Sequence, residues 1–135
     1  MSQENVEVVR RVNAAFNRGD LDRAFAHYSP AVEWHDLQHA PDAPERVQGL
    51  PALRTILDQW EQAFDDFSAD IEEFTDAGDF VVAVTRWRAK GRGSGLSLDL
   101  HAADAYELSE GKIVKVTLGY PPDKHAALKA VGLEE

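Results

Sequence analysis

Two aspartates stand on the apolar sides of alternating segments, and they are the residues through which this chain could do chemistry. Asp104 lies in a long alternation in which Leu98, Leu100, Ala102, Tyr106 and Leu108 share its parity and, in an extended strand, its face. Asp36 shares parity with Val32 and Trp34 in the shorter alternation from Ala31 to Leu37. A carboxylate on a buried face is costly unless it is paired, hydrogen-bonded or protonated. Each aspartate therefore has two readings. Asp104 is either a satisfied structural acid, bonded to a tyrosine or tryptophan in the core, or the chemical centre of a pocket. Asp36 either caps the loop that follows it or faces the same pocket. If both face one pocket, they suit proton transfer beside a carbonyl group, with one carboxyl taking a proton from carbon and the other donating to oxygen. That chemistry needs no cofactor.

The side chains around the two acids extend the pattern. Trp34 and Tyr106 share faces with them and are the candidate pocket walls. Trp60, Phe16 and Tyr120 are further candidate ligand contacts, although aromatic residues dominate cores in any case. His39 falls on a loop from which it can reach a pocket mouth. His35 and His101 have the opposite parity to Trp34 and Asp104, so they are expected to face outward. No His-x-His or His-x-x-x-His pair stands on any one element, so no metal site is expected. The chain has no cysteine, which removes disulfides and thiolate chemistry and fits the cytoplasm. No nucleophile elbow, phosphate loop or dinucleotide fingerprint is present. The glycines of Gly91 to Gly95 join two strands and read as a hairpin turn.

The elements that must hold these residues fit one domain spanning 1–135. Val6, Val9, Val12, Ala15 and Phe16 recur at helical spacing, and Gly19 and Asp20 end that helix and cap a short second one through Leu21, Ala24, Phe25 and Tyr28. A strand follows from Ala31 to Leu37. Gln38 to Val47, with Pro41 and Pro44, reads as a loop. A third helix runs from Leu50 or Pro51 to about Phe64, with Leu53, Ile56, Leu57 and Trp60 on its apolar stripe. The period then changes to two, and Phe67–Thr75, Phe80–Lys90, Leu96–Leu108 and Ile113–Tyr120 read as four strands. Asp123 opens a closing helix. Helices followed by a meander of strands indicate an α+β domain, with helices on one face of a curved antiparallel sheet.

Charge narrows the range of partners. The net charge is −10, with 24 acidic residues against 14 basic ones. Arg86, Arg88, Lys90 and Arg92 are the one basic run, and their alternation reads as the solvated side of a strand rather than a nucleic-acid surface. No apolar run approaches the ~20 residues of a membrane span, and the N-terminus carries no signal-peptide pattern. The acidic balance favours an uncharged or cationic ligand over a polyanion.

This order of elements, together with Phe16-Asn17-Arg18-Gly19-Asp20-Leu21-Asp22, Val32-Glu33-Trp34-His35-Asp36 and Glu110-Gly111-Lys112-Ile113-Val114, resembles the SnoaL-like proteins of the nuclear-transport-factor-2-like superfamily. The resemblance covers nearly the whole chain. It implies a cone-shaped α+β fold, in which a curved antiparallel sheet wraps around N-terminal helices and encloses an internal pocket, and a homodimer through the outer sheet face. It also implies roles. Asp104 lies where SnoaL-like polyketide cyclases place an acid/base and where ketosteroid isomerases place a protonated oxyanion donor. Asp36 lies where the isomerases place their base. Two departures count against particular activities. The isomerases' tyrosine on the first helix corresponds here to Val12, and Arg86-Trp87-Arg88 lacks the carboxylate of the family's epoxide hydrolases. Because one fold hosts several functions, three readings stand: a cofactor-independent acid/base enzyme (isomerase, cyclase or dehydratase type) acting on a small hydrophobic carbonyl compound, a non-catalytic small-molecule binding module, and a dimeric interaction domain. An Asp104 whose oxygens are all bonded to protein in a closed core would move the reading away from the enzyme.

Overall fold

The computed structural model describes residues 2–37, 46–93 and 97–132. Helices α1 (Ser2–Asn17) and α2 (Leu21–Phe25) lead into strand β1 (Tyr28–Asp36). Strand β2 (Arg46–Gln48), helix α3 (Leu50–Ala63) and strands β3 (Phe64–Ala77), β4 (Phe80–Gly91), β5 (Ser97–Ser109) and β6 (Lys112–Tyr120) follow, and α4 (His125–Ala130) closes the chain. The six strands form one curved sheet in the order β2-β1-β6-β5-β4-β3. All neighbours are antiparallel except β1 and β6, which run parallel. The expected α+β architecture, with a curved sheet against N-terminal helices, is what forms.

Local chemistry explains the boundaries. Asp20 accepts a hydrogen bond from the Arg23 N–H and caps α2. Pro51 occupies the first turn of α3, where a missing N–H costs nothing. Several boundaries differ from the sequence expectation. Tyr28, expected to end α2, begins β1, because α2 stops at Phe25 and the parallel ladder to β6 starts at the Tyr28–Ile113 pair. Pro30 is accommodated where that ladder is irregular, between Tyr28 and Glu33. Arg46 and Val47, expected to be loop, belong to β2 and pair with β1 opposite His35 and Trp34. His39, Pro41 and Pro44 lie outside the described residues.

Helices α1, α2 and α3 cover the inner face of the sheet, where Val9, Val12, Val32, Leu53, Val81, Ile113 and Val116 form the core. Helix α4 packs on the opposite face, where Ala127 and Leu128 meet Val82, Ala103 and Tyr120. This second layer explains why the alternation of β5 gives way to a fully buried run from Ala102 to Tyr106. The outer face of β3, β4 and β5 carries charge. Arg86 clamps Asp99 with two hydrogen bonds of 2.9 and 2.7 Å, Arg88 pairs with Asp70, and His101 lies 3.1 Å from Glu72. The basic run is thus a cross-strand ladder. It lies on an interior strand, β4, rather than on an edge, and carboxylates on both neighbouring strands match it. No helix of the described residues is long and apolar enough to cross a membrane.

Candidate functional site

Asp104 is fully buried on the inner face of β5. Directly opposite it on β4 is Ala83, whose small side chain leaves room for the carboxyl. On the other flank the ladder is bulged. Ala103 pairs with Tyr120 but Ala105 with Thr117, so Leu118 and Gly119 together face Asp104. Gly119 takes φ +97°, a conformation that favours glycine, and its N–H donates to Asp104 Oδ1 at 3.1 Å. Trp87 Nε1–H donates to Oδ2 at 3.1 Å. The buried Thr85 hydroxyl donates to the Ala83 carbonyl at 3.4 Å and helps to hold the Asp104 pKa down. Both carboxyl oxygens are therefore bonded to protein. Burial pushes the Asp104 pKa up to about 7, against the pull of the Gly119, Trp87 and Thr85 hydrogen bonds, and the charge of Asp36 adds to the rise.

Asp36 is 8% exposed and sits on the inner face of β1, on the same side as Val32 and Trp34. It pairs with Leu118 across the β1–β6 ladder. The two acids are consequently separated by one intervening strand, which places their backbones about 10 Å apart.

Among the described residues, two neighbouring hollows on the helix side of the sheet share walls. The inner one, about 50 Å³, is bordered by Trp34 and Tyr106 among others. The outer one, about 310 Å³, opens where the ends of α1 and α3 meet the start of β3, with Phe16, Trp60, Phe64 and Phe67 on its walls. Phe16, Leu21 and Leu57 border both. The aromatic walls form a connected cluster. Trp60 stacks on Phe67 with centroids 5.5 Å apart, Trp34 lies 5.3 Å from Trp60, and Phe67 meets the edges of Phe16 and Trp87 at 5.8 Å. A bulge between Asp65 and Ser68, with Asp66 at φ +55°, turns Phe67 into this cluster. The Asn17 side chain fixes the end of α1 beside it, donating to the Ala69 carbonyl at 2.8 Å and accepting from the Ala69 N–H at 2.9 Å.

The structure therefore divides the residues singled out in the sequence. Asp104 and Asp36 approach each other across β6. Trp34 and Tyr106 border the inner cavity, and Phe16 and Trp60 the outer one. Asp104 borders neither. Tyr120 is on the other face, packed against α4 with Val82 and Ala103, because the Leu118–Gly119 bulge inverts the alternation just before it. His39 lies outside the described residues. His35 and His101 are on the outer face near Glu33 and Glu72. Among the described residues, no group of three or more His, Asp or Glu is placed to hold a metal ion. Sequence reasoning missed the groups that hold Asp104. Thr85 and Trp87 alternate with Arg86 and Arg88, which was a signal for inward parity. Gly119 inside a strand was a signal for a bulge.

Residues 9–116 match the model of the SnoaL-like domain. Among solved structures, the chain is similar to Bal32a from a soil-derived mobile gene cassette, with 23% identity over 87% of this chain and 88% of that one and a TM-score of 0.78. It is also similar to an NTF2-like protein from Burkholderia thailandensis, with 23% identity over 97% and 98% and a TM-score of 0.77. A third similar structure is a protein of ketosteroid isomerase-like fold from Catenulispora acidiphila, bound to trimethylamine, with 16% identity over 85% of each chain and a TM-score of 0.74. No curated protein matches the sequence significantly.

Proposed function

This chain belongs to the SnoaL-like domain family of the nuclear-transport-factor-2-like superfamily, and from that premise we propose that it binds a compact, mostly apolar, uncharged or cationic small molecule at the aromatic hollow between α1, α3 and β3. The observation that carries this reading is the hollow itself. Its volume of about 310 Å³ lies at the small end of the ~300–1,000 Å³ range of ligand sites, and four aromatic rings face it. The net charge of −10 disfavours a polyanion.

The test uses the three tryptophans that the chain contains. Trp34, Trp60 and Trp87 all belong to the aromatic cluster, so intrinsic fluorescence reports on it. Titration with the uncharged probe N-phenyl-1-naphthylamine is expected to quench tryptophan emission saturably, with weaker binding in Trp60→Ala. A linear, unsaturable response in the folded wild-type protein would sink the proposal.

A second reading, acid/base catalysis on a small carbonyl compound, draws support from the Asp104 pKa near 7 and the neighbouring Asp36. The bonding of both Asp104 oxygens to protein and its absence from the walls of both hollows rank this reading second. It predicts exchange of the α-protons of a cyclic ketone such as cyclohexanone into deuterated water that disappears in Asp104→Asn. Equal exchange in wild type and variant would exclude it. We also propose a homodimer through the outer face of the sheet, beside the patch that α4 covers. Light scattering at the monomer mass across micromolar concentrations would exclude that assembly.

A further inference from the structure

Trp87 joins the buried acid to the wall of the outer hollow. Its indole Nε1–H donates to Asp104 Oδ2 at 3.1 Å. The same ring meets Phe67 at 5.8 Å and Phe16 at 6.2 Å, edge to face, and both of those rings line the hollow. Phe67 in turn stacks on Trp60, which lines it too. Close-packed side chains transmit strain, so a displacement of the Trp87 indole reaches three walls of a hollow that Asp104 itself does not border. The other side of the carboxyl is fixed. Its Oδ1 accepts from the Gly119 N–H at 3.1 Å, a backbone group held in the sheet. Of these two donors, the Trp87 side chain is the one free to move.

We propose that Asp104 is a positioning residue for the outer hollow: its carboxylate holds Trp87 behind Phe16 and Phe67, and a proton on that carboxyl loosens the ring and weakens ligand binding. An ionised carboxylate accepts a charge-assisted bond, roughly twice as strong as the bond that a neutral acid accepts. A proton must go onto one of two oxygens that already receive N–H bonds, so one of those bonds is weakened. The change falls in a useful range, because burial raises the Asp104 pKa to about 7. Binding is therefore strongest above that pH, where the group is charged, and weakens as pH falls through it. The other titratable groups facing Asp104 are Asp36 from β1, whose charge adds to the rise, and Tyr106 of β5, whose own pKa is pushed up by burial and then by Asp104. Tyr106 thus keeps its proton at neutral pH. Strands β4 and β6 present Ala83, Thr85, Trp87, Leu118 and Gly119 to the carboxyl, none of which titrates. The helices turn Val9, Val12, Leu53 and Ile56 to this core, which carry no charge.

This inference rests on the outer hollow being a ligand site, and the experiment separates the two. The probe is N-phenyl-1-naphthylamine, whose own emission reports binding and which stays uncharged from about pH 5.5 to about pH 8.5, a window that brackets the Asp104 midpoint. Wild type is expected to bind it about fivefold tighter at the alkaline end, the factor by which charging strengthens one hydrogen bond. By reciprocity, saturating probe moves the Asp104 midpoint, read from its carboxyl carbon shift by NMR, to lower pH. Trp87→Phe keeps a ring and loses the N–H, and Asp104→Asn loses the titration. Each is expected to bind with an affinity that is flat across the window, and two variants keep the test decisive if one of them fails to fold. The histidines and the carboxylates at the mouth of the hollow remain in both, so a slope that persists in either folded variant would overturn the coupling. A flat or reversed slope in wild type would overturn it as well and leave the hollow as a ligand site. No saturable binding at any pH would overturn the hollow as a ligand site and the coupling with it.

Discussion

Asparagine in place of Asp104 removes a buried carboxyl whose ionisation the fold opposes, and the effect on stability follows from the structure. In the folded protein burial holds the carboxyl near pKa 7, against 3.8 in the ordinary state. The unfolded chain releases its proton near the lower value and the folded chain near the higher, so between them the folded state holds the extra proton. Stability contributed by this group is fully present below pH 3.8 and is lost as pH rises through about 7. At ~1.36 kcal/mol per pKa unit the whole span is worth about 4 kcal/mol. The part that falls between about pH 5 and about pH 8 is about 2–3 kcal/mol. The residue has no exposed surface, so solvent screening takes little from this figure. The amide of the Asp104→Asn variant does not titrate. It contributes only a pH-independent offset, because it must face two donors, Gly119 N–H and Trp87 Nε1–H. Urea denaturation followed by tryptophan fluorescence, run on both proteins across this range, gives the comparison. The stability of wild type minus that of Asp104→Asn is expected to fall by about 2–3 kcal/mol from the acid to the alkaline end. A difference that is flat with pH, or that rises, would refute the assignment of a raised pKa to Asp104.

The same geometry makes three further substitutions informative. Asp36→Asn removes a negative charge that helps to raise the Asp104 pKa, so the Asp104 midpoint, read from its carboxyl carbon shift by NMR, moves to lower pH. A midpoint that stays put or rises would show that the two acids do not interact. Gly119→Ala forces a side chain onto φ +97° and is expected to cost about 1–3 kcal/mol in chemical denaturation, with an accompanying change in the Asp104 midpoint as its N–H donor shifts. Asn17→Ala removes the bonds to both backbone groups of Ala69. It should destabilise the fold by about 1–3 kcal/mol and weaken N-phenyl-1-naphthylamine binding, because the end of α1 is one wall of the outer hollow. Unchanged stability would mean that water replaces the amide without loss.

The sequence by itself determined the element types, the faces of the strands and the character of the two acids. Periods of 3.6 and 2 are local properties, so α1, α3 and the four long strands could be read directly, and parity alone placed Asp104, Trp34 and Tyr106 inward. Motif order was enough to indicate the superfamily. What the tertiary structure decided was every relation that depends on register. Trp87 reaches Asp104 only because β4 and β5 pair with Ala83 opposite the carboxyl. Gly119 reaches it only because a bulge makes two residues of β6 face one of β5. That same bulge sends Tyr120 to the outer face, which simple alternation could not anticipate. Strand β2 escaped sequence reading because three residues carry no detectable period and form a strand only through the ladder that β1 offers. The burial of Asp104 could be inferred from its neighbours in sequence. Its two donors and its raised pKa could not, because they are set by residues 15 and 17 positions away that the folded sheet brings to within hydrogen-bonding distance.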